Sequence, residues 1–253
     1  MKKRVCRGVL YLWLGSMLIV LLFPVICTVA DGFILYGVEG FADFLLWDPT
    51  WLRAFWISMG ISMGTALGSA LIAVPAAYIF AKVRFRGREI LFLVYVIVMM
   101  MPFQVTQLPH YMTAKSFGIY DTPWALLLPG IFAPLSVFLL TQLARAIPDE
   151  MLEAARLETG SVWKILWYIV CPNLRSGIVC MMVLQFTEYW GMAAEPLVLM
   201  ETKEMYPLAL KLAQMDAGIP AVAAASFIML IPPWLLYGYF RDEIREGMKG
   251  YHL

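Results

Sequence analysis

The sequence predicts an all-α polytopic membrane protein with six transmembrane helices, and three observations carry that reading. First, 62% of the 253 residues are apolar and only 15% are charged, against about 45–50% and about 25% for a soluble domain; the mean hydropathy is +0.76. Second, the apolar residues gather in uncharged runs, and a run of roughly 20 is enough to cross a bilayer. Third, the basic residues between those runs are distributed very unevenly. An ordinary soluble enzyme, a disordered chain and a disulfide scaffold are excluded. The four cysteines, Cys6, Cys27, Cys171 and Cys180, show no CxxC pairing and suggest no metal site.

Five spans follow directly, at 9–30, 54–81, 90–114, 122–144 and 217–240. None contains Asp, Glu, Lys or Arg, and their continuous rather than alternating apolarity argues for helices over strands. A sixth, 176–200, is interrupted by Glu188 and Glu195. The 9–30 run follows Lys2, Lys3, Arg4 and Arg7, but it is longer than the 7–15 residue core of a signal peptide and is read as an uncleaved first span. With the N-terminus in the cytoplasm, 15 of the 19 Lys and Arg residues fall on the cytoplasmic side. Only Arg53, Lys115, Lys203 and Lys211 lie outside, so both termini are expected in the cytoplasm. The whole chain, 1–253, reads as a single transmembrane domain of the inner (cytoplasmic) membrane.

Within the spans, Gly60, Gly64 and Gly68 recur every four residues beside Ser58, Ser62, Thr65 and Ser69. Small residues at this spacing admit another helix at close range; tight packing is the plainer reading and a translocation groove the sharper one. Prolines at 24, 75, 102, 109, 129, 134, 232 and 233 favour kinks. Glu188 lies about 20 Å along the fifth span from Arg175. It is either a carboxylate of the pathway or an interfacial residue beside the belt aromatics Tyr189 and Trp190. Gln104, Gln107 and His110, three apart, could line a polar surface or sit at headgroup level.

The longest cytoplasmic segment, 145–175, reads RAIPDEMLEAARLETGSVWKILWYIVCPNLR. Pro148 suits the first position of a helix, whose positive end Asp149 and Glu150 complement. Leu152, Ala154 and Ala155 form a short small-residue face. Thr159-Gly160-Ser161 breaks the helix, and Ser161 can cap a second one. There Trp163, Leu166, Trp167 and Val170 form one apolar face, and Pro172 ends it. A helix–turn–helix at the membrane surface results.

Glu153-Ala154-Ala155, Gly160, and Ile169 three residues before Pro172 resemble the "EAA" loop of binding-protein-dependent ABC transporter permeases. The preceding Ile147-Pro148-Asp149-Glu150 fits as well. Where that family usually has Asp-Gly-Ala, this chain has Glu158-Thr159-Gly160. The sugar branch, typified by the maltose permease pair, is resembled by Ala76-Ala77-Tyr78-Ile79-Phe80-Ala81-Lys82 with Phe85-Arg86-Gly87-Arg88. Further likenesses are Trp190 with Pro196-Leu197 (Gly191 replacing the usual Asn) and Gly247-Met248-Lys249-Gly250.

The resemblance implies a cytoplasmic coupling helix between the fourth and fifth spans, with Glu153, Ala154, Ala155 and Gly160 contacting a separate ATPase. It also implies a second permease subunit, two ATPase subunits, an extracytoplasmic solute-binding protein and a sugar substrate. Glu188, Trp190, Gln104 and Gln107 are then candidates for the substrate pathway. No GxxxxGK[ST] loop is present, so no cofactor is expected on this chain, and ATP with magnesium is expected on the partner. No catalytic constellation, metal site or nucleic-acid partner is expected, and His110 and His252 fall on opposite sides of the membrane. The alternatives are an ion-coupled secondary carrier using Glu188, an ABC permease for a non-sugar solute, and a membrane scaffold or enzyme that transports nothing.

Overall fold

The computed structural model describes residues 10–24, 26–27, 30–31, 34, 49–215 and 219–249. These are helical, with no strand among the described residues. The chain divides into two compact units. One comprises residues 1–52 and 214–231, and contains the apolar helix α1 (Leu10–Pro24). The other comprises residues 53–213 and 232–253 and holds the rest of the packing described here.

Helix α2 (Pro49–Lys82) is a single 34-residue helix despite Pro75. Its small-residue strip does what the spacing suggested. A Cβ on Gly64 would lie 2.9 Å from Leu127, and one on Gly68 would lie 2.6 Å from Ile131, whereas Gly60 faces open space. Leu127 and Ile131 belong to α5 (Trp124–Ile131), which continues after a break at Phe132-Ala133 as α6 (Pro134–Arg145). The hydroxyls alongside are buried: Thr65 donates to the Ser62 carbonyl (3.0 Å), Ser69 to that of Ala66 (3.1 Å), and Ser58 Oγ accepts from the Leu208 amide at 2.7 Å. This is close helix packing with internal hydrogen bonding.

Two predicted spans are not straight. The run 90–114 is divided into α3 (Arg88–Met99) and α4 (Phe103–Ser116), which meet at 99°. Pro102 sits at the break in extended backbone; it supplies no amide hydrogen and disfavours helical geometry for Met101 before it. The run 176–200 ends as a helix at Trp190, in α10 (Arg175–Trp190), and resumes only as the short α11 (Ala194–Leu199). The other helices are α7 (Asp149–Glu158), α8 (Val162–Ile165), α9 (Cys171–Asn173), α12 (Leu208–Ala213), α13 (Ile219–Tyr239) and α14 (Arg241–Lys249). Helix α14 packs on α10 through Gly247, where a Cβ would stand 3.1 Å from the Ser176 carbonyl oxygen. Gly247 of the closing motif is thus a close-packing position, and Gly250 lies outside the described residues. Parts of the 9–30 and 217–240 runs lie outside the described residues.

A latch ties two loops together near Asp121, which has a left-handed φ of 59°. Its carboxylate accepts from the amides of Glu201 (2.8 Å) and Thr202 (2.9 Å) and from the Thr202 hydroxyl. The Thr202 hydroxyl and amide bonds hold the Asp121 carboxyl below its ordinary value of 3.8. Such a group contributes fully at neutral pH, and its contribution drains as pH falls through the lowered folded value. Asp121→Asn tolerates the same backbone but lacks the charge. The variant should melt below wild type at pH 7, and the gap should close below about pH 4, as read by thermal denaturation in detergent.

Candidate coupling surface and pathway residues

Lys82, the last residue of α2, is the hub of one end of the bundle. Its side chain is 8% exposed. Nζ donates to the carbonyls of Arg145 (3.2 Å) and Ile147 (2.5 Å) and to Asp149 Oδ1 (2.8 Å). The first two oxygens belong to the end of α6 and the residues just after it, where helix carbonyls lack internal partners. The third belongs to the first residue of α7. One ammonium group therefore joins three helices, and its hydrogen bond lowers the Asp149 carboxyl below the usual range. Arg156, one turn from the end of α7, donates to the Tyr78 hydroxyl of α2 at 3.3 Å.

Helix α7 presents two faces. Leu152 (2% exposed) and Ala155 are buried in the core with Ala77, Leu140, Ala144 and Val170. Glu153, Ala154 and Gly160 are exposed, and so is Leu157, at 90%. The predicted grouping of Leu152, Ala154 and Ala155 on one face is therefore corrected. Leu152 and Ala155 lie three apart and turn inward; Ala154 turns outward, as helical spacing requires. Ala155 is an internal packing residue rather than an exposed contact. Leu157 was missed, although its position five residues after Leu152 places it on the other side of the helix.

The turn also differs in detail. Pro148 occupies the N-cap position, and the helix begins at Asp149. Thr159 is extended at the end of α7, and its hydroxyl accepts from the Ser161 amide at 3.3 Å. Ser161 stands at the N-cap of α8 but makes no side-chain cap. Beyond α8, residues Leu166–Val170 form a π turn, and Pro172 lies inside α9 while the chain turns at Leu174. Of the four residues expected on one apolar face, Leu166 and Val170 are buried in the bundle with Ile165, whereas Trp163 and Trp167 are exposed.

The four pathway candidates are not brought together. Trp190 is 2% exposed, stacked on Phe186 at 5.7 Å and edge-on to Phe55 at 5.4 Å. Within this chain it is a core side chain. Glu188 is exposed near the end of α10. Gln104 (exposed) and Gln107 (half-buried) lie on α4, beyond the 99° break, as does the half-buried His110. Among the described residues, no hydrogen bond or ion pair joins Glu188 to either glutamine. A buried polar node that sequence reasoning missed lies in α10 instead. There Gln185 Nε2 donates to the Gly130 carbonyl (3.3 Å) and its Oε1 accepts from Ser136 Oγ (3.4 Å).

Residues 69–237 match the family described as "binding-protein-dependent transport system inner membrane component". The chain belongs to that family: it is a membrane transport component, not an enzyme. It is 28% identical over 235 residues to the arabinooligosaccharides transport system permease protein AraQ of Halalkalibacterium halodurans, covering 91% of this chain and 81% of that one. With the lactose transport system permease protein LacG of Rhizobium radiobacter it shares 26% identity, covering 78% and 73%. With the sn-glycerol-3-phosphate transport system permease protein UgpE of Brucella melitensis it shares 28%, covering 78% and 72%. Its fold is similar to a chain in the crystal structure of a bacterial ABC transporter involved in the import of the acidic polysaccharide alginate. There the TM-score is 0.84 at 18% identity, covering 96% of this chain and 98% of that chain.

Removal of the hub tests its role. Lys82→Met keeps the apolar stem but removes the donor to the Arg145 and Ile147 carbonyls, a loss of about 0.5–1.5 kcal/mol per bond where water can take the donor's place. The expected result is a lower melting temperature and faster amide exchange over 149–158, measured by hydrogen–deuterium exchange.

Proposed function

We propose that the chain is a permease subunit of an ABC importer, forming part of the transmembrane pathway for a sugar or oligosaccharide. The observation that carries the coupling role is the two-faced α7. Leu152 and Ala155 bind it to its own bundle, while Leu157 is left 90% exposed beside Glu153, Ala154 and Gly160. Exposed on a surface helix whose other face is anchored in the bundle, and lying in the segment that resembles the EAA loop, this side chain supports a partner's cleft as its contact. The partner expected is a separate ATPase that binds ATP and magnesium, because this chain has no phosphate loop. Two such subunits, a second permease subunit and an extracytoplasmic solute-binding protein complete the proposed assembly.

Sugar as cargo is supported by the arabinooligosaccharide and lactose permeases among the relatives. The glycerol-3-phosphate permease supports a second reading, a small phosphorylated polyol. Family membership gives no support to the ion-coupled carrier or the scaffold. For the membrane arrangement, α2 and the Trp124–Arg145 segment are long and apolar enough to cross by themselves. Taking each bent pair, Arg88–Met99 with Phe103–Ser116 and Val162–Asn173 with Arg175–Trp190, as one crossing adds two. The shorter apolar helices Leu10–Pro24 and Ala225–Tyr239 bring the proposed total to six. The distribution of Lys and Arg favours cytoplasmic termini and a cytoplasmic α7.

The test is made on the assembled complex. Oligosaccharides presented with the solute-binding protein should stimulate ATP hydrolysis severalfold; stimulation by glycerol 3-phosphate alone would transfer the cargo to the second reading. Leu157→Asp should insert normally yet lose most of the co-purifying ATPase subunit. Recovery equal to wild type would remove α7 from the interface.

A further inference from the structure

The hub borders a cleft of about 690 Å³, lined by the end of α2, the turn that follows it, the end of α6 and α7. Five cations face it: Lys82, Arg84, Arg88, Arg145 and Arg156. Only two carboxylates, Asp149 and Glu153, oppose them there. The internal pairings leave a positive excess. Lys82 is paired with Asp149 at 2.8 Å. A third carboxylate, Glu89, is shared by Arg88 (2.6 Å) and Arg145 (3.7 Å). Arg156 is bonded to the neutral Tyr78 hydroxyl. Arg84 is exposed and makes no hydrogen bond or ion pair among the described residues.

The surroundings indicate what kind of anion fits. Arg84 and Arg88 also line an adjoining groove of about 340 Å³ with Phe85, Gly87, Glu89 and Ile90; Glu89 is the carboxylate already paired with Arg88 and Arg145. Gly87 holds a left-handed φ of 84° at the head of α3, which brings the chain sharply round between the cleft and that groove. From there Ile90, Leu91, Leu93, Val94 and Ile97 expose an apolar flank along α3. Cationic groups at the end of a membrane-crossing helix, continuous with an apolar flank, match an amphiphile with a phosphate head and acyl chains. A free anion would have no use for the flank. Basic pockets between transmembrane helices bind anionic headgroups on these grounds.

We propose that this cleft binds the phosphate headgroup of an anionic membrane lipid, with its acyl chains along α3. The proposal rests on the membrane placement of α2 and α6 given above. A bound headgroup bridges Arg84 and Arg88 to Arg145 and Arg156, so lipid charge adds to Lys82 in holding α7 against the bundle.

The test uses the detergent-purified assembled complex, titrated with phosphatidylglycerol or with phosphatidylcholine of the same chains, and read by native mass spectrometry. Lipid retention is measured without ATP turnover, so failure of the transport reading would not alter it. One phosphatidylglycerol per copy of this chain should bind in preference to phosphatidylcholine. Arg84→Gln should weaken that binding about fivefold, from the worth of one basic residue near anionic lipid. Arg156→Gln should act in the same direction. Arg86→Gln, which changes an exposed residue outside the cleft lining, should leave it unchanged. Equal retention of the two lipids would overturn the proposal. So would displacement of phosphatidylglycerol by millimolar inorganic phosphate, which would mark a free-anion site. Unchanged lipid affinity in Arg84→Gln with reduced recovery of the ATPase subunit would assign the cleft to an acidic protein segment and equally overturn it.

Discussion

The amine of Lys82 is the constraint around which the rest of its end of the bundle is arranged. The α6 terminus needs a donor for its last carbonyls, and the first turn of α7 offers a carboxylate. A lysine at the end of the 34-residue α2 reaches both at once. The ion pair with Asp149 alone would count for little, because that carboxylate is 68% exposed. Its importance comes from being one of three bonds to a nearly buried ammonium. Removing the amine takes away the bonds to both carbonyls at once, whereas removing Asp149 leaves the amine two of its three acceptors.

From that hub the two-faced character of α7 follows. Once Asp149 is fixed, helical spacing directs Leu152 and Ala155 into the core with Ala77 and Leu140. Leu157 is then directed outward. The same geometry places Arg156 against Tyr78, a second tie to α2. A surface helix held in this way can transmit force in both directions: a partner that moves α7 moves the ends of α2 and α6. Helix α2 is also packed through Gly64 and Gly68 against α5, which leads into α6, so displacement at one end is carried along the bundle by close-packed side chains.

Much of this was legible in the sequence, and the exceptions have physical causes. Uncharged runs exposed the apolar helices, and the spacing of Gly64 and Gly68 exposed a tight crossing. Pro102 marked a kink in the run through Met100 and Met101, but hydropathy is blind to backbone and gave no sign that the bend reaches 99°. A regular period of 3.6 residues gives no sign of the π turn at Leu166–Val170, and the expected apolar face of Trp163, Leu166, Trp167 and Val170 divides into two buried and two exposed residues. Within this chain Trp190 is enclosed by Phe55 and Phe186. No local pattern reveals that Phe55, 135 positions away, is its neighbour. The Lys82–Asp149 pair was hidden for the same reason: both residues sit in recognisable motifs, but only the folded chain brings them together.

The central claim is that α7 turns one face to its own bundle and offers the other to a partner. Cysteine labelling tests it most directly, in a background lacking the four native cysteines. Leu157→Cys should react rapidly with a membrane-impermeant maleimide in the isolated chain and be protected in the assembled complex. Leu152→Cys should be unreactive in both. Equal labelling of Leu157→Cys in the isolated and assembled states, or rapid labelling of Leu152→Cys in a folded chain, would contradict the account.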